Sequence, residues 1–131
     1  MARLKRKKFR SFKIMPVMET PLFFIGKELS SKTRQWLHRQ QIQFVEQIEQ
    51  STRTISAYLF FSPSGIDSFK ASGSFTYPDS LVFANGNSTA RAAWRHFTNK
   101  VHASPDTEEL SFVQYSIFRW MKENNIAADY S

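Results

Sequence analysis

The chain contains no cysteine. A disulfide scaffold, a thiolate zinc site and a cysteine nucleophile are therefore excluded. No apolar run approaches the ~18 residues of a membrane-spanning helix. No 7–15-residue apolar stretch follows the basic start, so a secretory signal is not expected. The three histidines, His38, His96 and His102, lack metal-ligand spacing. His96 and His102 are separated by about 600° of helical rotation and share no helix face. There is no P-loop, no G-x-S-x-G and no H-E-x-x-H. The acidic residues are scattered and form no evident catalytic pair. No enzymatic activity, metal or cofactor is expected on these grounds.

What is abundant is aromatic. Thirteen Phe, four Tyr and three Trp in 131 residues provide ample material for a packed core, far more than a disordered chain carries. The length suits one domain.

Charge is concentrated at one end. Arg3, Lys5, Arg6, Lys7, Lys8, Arg10 and Lys13 are seven cations with no acid among them. Removing these seven from the 18 Lys and Arg leaves 11, equal to the 11 Asp and Glu. Residues 1–13 thus read as a basic arm on a formally neutral remainder. Such a block repels itself, resists folding alone and commonly contacts polyanions.

Residues 14–29 carry Pro16, Pro21 and Gly26, which argue against a helix and for an extended strap. Leu22–Ile25 is apolar enough for a short strand or a plug. From 31 to 50, Leu37, Phe44, Val45 and Ile48 follow a helical stripe capped by Ser30 or Ser31. Three strands are expected next. The first, 54–62, places Tyr58 and Phe60 on its even face. The second, 68–77, alternates cleanly, with Phe69, Ala71, Gly73, Phe75 and Tyr77 on one face. The third, 80–84, ends at Asn85-Gly86. A helix over 88–102 shows Ala90, Ala93, Trp94, Phe97 and Val101 on one stripe. A last helix starts at Ser104-Pro105 and carries Leu110, Val113, Ile117 and Trp120. The expected fold is a single α+β domain over 30–131. It is a three-stranded antiparallel meander packed by three helices in the order α-β-β-β-α-α, preceded by the arm and the strap. Trp94, Phe97, Ile117 and Trp120 are expected to meet in its core.

The α-β-β-β-α order over residues 33–103 resembles that of a double-stranded-RNA-binding domain. Asn85-Gly86-Asn87-Ser88 is similar to that family's Gly-rich approach to its second helix. Where the family places lysines this chain has Thr89, Ala90 and Ala93, with Arg91 and Arg95 beside them. The resemblance favours RNA slightly over DNA.

Two surfaces follow. The arm, with Arg91 and Arg95 four apart on a helix face, is the candidate for phosphate contacts. Leu22, Phe23 and Phe24 of the strap, with Tyr58 and Phe60, are the candidate interface. Three helices are too few to cover both faces of a small sheet, so a second copy or fixed partner would cover the rest; the rival is that the strap folds back over its own sheet and leaves a monomer. The expected function is a non-catalytic, nucleic-acid-associated structural or binding protein of coat, nucleoid or ribonucleoprotein type. The alternative is a protein–protein adaptor whose arm is an address or solubility tail; a small enzyme ranks last. The expected location is intracellular, cytoplasmic or nuclear, or within a virion.

Overall fold

The computed structural model describes residues 20–48 and 53–126. Five strands, β1 (Leu22–Ile25), β2 (Gln43–Val45), β3 (Ala57–Phe60), β4 (Leu81–Asn85) and β5 (Val101–Ser104), alternate with four helices. The helices are α1 (Ser31–Arg39), α2 (Pro63–Ala71), α3 (Asn87–His96) and α4 (Glu109–Glu123). The strands form one sheet in the order β2-β1-β3-β4-β5. Every pairing is parallel, with Phe23 opposite Phe44, Phe24 opposite Tyr58, Leu59 opposite Phe83 and Phe83 opposite His102.

This overturns the expected three-stranded antiparallel meander and its three helices, and with it the resemblance in element order. The reason lies in burial. A parallel sheet is covered on both faces, so its inner strands are continuous apolar runs rather than alternating ones. LFFI and AYLF are such runs, and all four residues of each are buried. Leu22–Ile25, within the expected strap, is an inner strand of the sheet.

The alternation over 68–77 does not make a strand. Ser62 caps α2 with its side chain and Pro63 stands in the first turn, a combination that starts a helix. Phe69 then belongs to α2, beside Ile66 on its buried side. The stripe over 31–50 divides as well. Helix α1 stops at Arg39, Gln41 takes a positive φ of 60°, and Gln43–Val45 continue as β2. Likewise α3 ends at His96, and Val101 belongs to β5.

The two faces of the sheet are covered by different helices. On one, Phe23, Ile25, Leu59 and Phe83 pack with Leu37 of α1 and with Phe112, Val113, Ile117 and Trp120 of α4. On the other, Leu22, Phe24, Tyr58, Phe60 and Val82 pack with Ile66 and Phe69 of α2 and with Ala92, Ala93 and Phe97 near α3. Phe24, Phe60 and Phe69 form a ring cluster at 5.3–5.8 Å between centroids. Each such buried side chain contributes about 1.5–3 kcal/mol. Phe97 therefore lies across the sheet from Ile117 and Trp120. Trp94 is in neither core and is 57% exposed.

Candidate functional site: the cleft at the carboxyl ends of the strands

The strand order sets the place of the cleft. From β1 the chain runs outward through α1 to β2, whereas from β3 it runs the other way through α2 to β4. The segments leaving β1 and β3 diverge, and open parallel sheets bind ligands in the crevice this creates beyond the carboxyl ends. A cleft of about 800 Å³ lies there, lined by Gly26 and Lys27 after β1, Glu46 and Gln47 after β2, and Ser62, Ser64 and Gly65 after β3.

Each wall has a local cause. The Gly26 N–H donates to the Leu59 carbonyl at 3.0 Å, tying the end of β1 to β3. A Cβ at Gly26 would stand 3.3 Å from both that oxygen and the Phe24 ring, so the close approach favours glycine. The Ser62 hydroxyl accepts from the Gly65 N–H at 3.2 Å and lies 3.0 Å from the Ser64 hydroxyl. Ser64 and Ser68 of α2 and Ser72 at its C-cap follow at intervals of four, and all three line the cleft. Phe24, Ile48 and Phe69 add an apolar wall.

Of the three charged residues that line the cleft, Glu28 is exposed, whereas Lys27 and Glu46 are tied down. Lys27 Nζ lies 2.9 Å from Glu109 Oε2. Glu46 takes both oxygens to Arg34 Nη2, at 2.8 and 2.9 Å, and Oε2 also accepts from the Leu29 N–H at 3.1 Å. Glu109 is the hub behind this wall. Its Oε1 accepts from the Thr33 hydroxyl at 2.5 Å, the Ser30 hydroxyl at 2.7 Å and the Ser30 N–H at 3.2 Å. Burial raises its pKa. Hydrogen bonds from Thr33, Ser30 and Lys27 outweigh that and hold it down, to about 2.

A second helix starts at the same edge of the sheet. Helix α3 follows Gly86, whose φ is 87°, and has no side-chain cap. Its first intrahelical bond runs from the Ala90 N–H to the Gly86 carbonyl, and the amides before it have no partner within the helix. Asp106 sits against Gly86, with Cβ 3.5 Å from where a glycine Cβ would be.

Arg91 and Arg95 are exposed on α3, away from the cleft. The seven arm cations, Arg3 to Lys13, lie outside the described residues. Leu22, Phe23, Phe24, Tyr58 and Phe60 are all buried, at 0–6% exposure, within this chain's own two cores. The premise behind the expected interface fails here, because four helices cover both faces. Ser62, Ser64, Gly65 and Gly26 were missed as site residues. For Ser62–Gly65 the available signal is an apolar run followed by Ser-Pro-Ser-Gly, a strand end that opens a helix.

Among the described residues no group of three or more His, Asp or Glu is placed to hold a metal ion. Nor is any described helix long and apolar enough to cross a membrane. The chain matches no protein-family model, no curated protein and no solved structure.

Proposed function

We propose that this domain binds a small polar organic molecule in the cleft between the ends of β1 and β3. The ligand's carboxylate or phosphate is held by hydroxyls and backbone amides rather than by free cations. One observation carries the reading: the roughly 800 Å³ cleft coincides with the point where the strand order reverses. The chemistry of the wall supports the class. Serine hydroxyls and the start of α2 suit an anion, because a helix N-terminus carries partial positive charge. Phe24, Ile48 and Phe69 suit an organic body.

Titration calorimetry of the full chain with citrate and with inorganic phosphate tests this. Saturable binding by the native chain is expected, and its loss in Gly65→Asp. That variant puts a like charge into the cleft at the third position of α2, where an acid favours the helix. A Cβ at Gly65 meets nothing closer than 3.6 Å. Equal binding by the two proteins would reject the site.

A second reading rests on a different observation. The seven cations of residues 1–13 have no acid among them, which supports association with nucleic acid through backbone phosphates. Replacing the seven with Gln should abolish binding to a generic duplex and leave citrate binding intact. Unchanged duplex affinity would reject that reading.

A further inference from the structure

Helix α3 turns Thr89, Ala90, Ala92 and Ala93 inward. Its outer face is made of Arg91, Trp94 and Arg95, all exposed. At 100° per residue these three fall within an arc of about 100°, with the indole on one side of Arg91 and Arg95 on the other. The two arginines stand roughly 6 Å apart along the axis.

The surroundings leave this face positively charged. The sequence holds no acid between Asp79 and Asp106. The neighbouring basic side chains face other partners. His96 faces Asp67 of α2 at 3.8 Å, and Lys100 pairs with Glu123 of α4 at 3.2 Å. Among the described residues no carboxylate is within ion-pair distance of Arg91 or Arg95. An indole that is 57% exposed, beside two guanidiniums with no carboxylate partner among the described residues, has a complement in one chemistry: a planar ring next to anions.

We infer that the outer face of α3 binds single-stranded nucleic acid, with a base stacked on Trp94 and the neighbouring phosphates held by Arg91 and Arg95. Stacking accepts any base, because each has a π-face. Arginine adds phosphate contact and can itself stack. The inference rests on the nucleic-acid reading and extends it from the arm to the folded domain; the cleft plays no part in it.

The test is fluorescence anisotropy of labelled oligo(dT) and oligo(U) on the full chain. The variants are Trp94→Ala, Trp94→Phe, the pair Arg91→Gln/Arg95→Gln, and the arm with its seven cations changed to Gln. Trp94→Ala should weaken binding by about fivefold or more, and Trp94→Phe should recover most of it. The double arginine variant should flatten the log–log salt dependence by about 1.4, the share of two phosphates on a single strand. A difference between the two oligonucleotides tells RNA from DNA without affecting the inference. If the α3 variants bind like the native chain while the arm variant does not, the α3 surface is rejected and the arm reading stands. If the native chain binds neither oligonucleotide, both are rejected. If a poly-glutamate peptide binds with the same dependence on Trp94 as the oligonucleotides, the face serves an acidic protein, and the inference is overturned.

Discussion

Glu109→Gln removes a charge on which three elements converge. In the native chain Glu109, at the start of α4, accepts from Ser30 and Thr33 at the start of α1 and pairs with Lys27 after β1. The amide keeps the shape but loses the ion pair and weakens three charge-assisted hydrogen bonds. A drop from the ordinary 4.5 to about 2 corresponds to roughly 3–4 kcal/mol before screening, at 1.36 kcal/mol per unit. The Lys27 side chain is 43% exposed and the site borders solvent, so screening reduces this to about 1–2 kcal/mol. The pH dependence has a definite sign. The folded pKa lies below the unfolded one, so the stabilisation is complete above the unfolded value of 4.5 and fades as pH falls towards about 2. Urea unfolding of the native and Glu109→Gln chains, measured from neutral pH down to about 2.5, should show a gap of about 1–2 kcal/mol at neutral pH that narrows steadily below the ordinary carboxyl range. A gap under about 0.3 kcal/mol at neutral pH, or one unchanged at low pH, would refute the role of Glu109 as a charged hub.

Three further substitutions probe the two cores and the edge. Trp120→Ala should cost about 3–5 kcal/mol, because Trp120 is buried against Phe23 at 5.4 Å, whereas Trp94→Ala should stay within about 0.5 kcal/mol; equal melting midpoints would contradict the burial of Trp120. Tyr58→Phe leaves the Tyr77 N–H, which donates to the Tyr58 hydroxyl at 3.1 Å, without its partner and should cost about 1–2 kcal/mol in chemical denaturation; no loss would mean that water replaces the phenol. Gly86→Ala forces a Cβ onto a φ of 87° and should destabilise by about 1–2 kcal/mol; a neutral result would show that the turn before α3 relaxes.

The sequence carried the composition of both cores but not their arrangement. Leu22–Ile25 was legible as a possible strand, yet Pro16 and Pro21 before it drew attention to a strap. Nothing in four apolar residues says that they pair on both sides. The 31–50 stripe misled because Phe44, Val45 and Ile48 keep helical spacing past the break at Gln41, and no Gly or Pro marks that break. The 68–77 alternation misled because Phe69 lies in the last turn of a helix, while Phe75 and Tyr77 are exposed at 71% and 42% and form no face. The Ser-Pro pair at 62–63 outweighed that pattern physically. Helix α4 is legible in its stripe but not in its start: Val113, Ile117 and Trp120 are on its buried side, whereas Ser104, expected to open the helix, ends β5, and the helix begins at Glu109. The cleft could not be read ahead of the sheet, since only the order β2-β1-β3 brings Gly26, Glu46 and Ser64 together.

Backbone amide shifts of the isotope-labelled full chain, followed during a citrate titration, test the proposed cleft most directly. The account predicts saturating shifts at Gly26, Lys27, Ser64 and Gly65 that share one dissociation constant, with the outer face of α3 unmoved. Shifts confined to residues 1–13 or to Arg91–Arg95, or no saturation anywhere along the carboxyl edge, would contradict it.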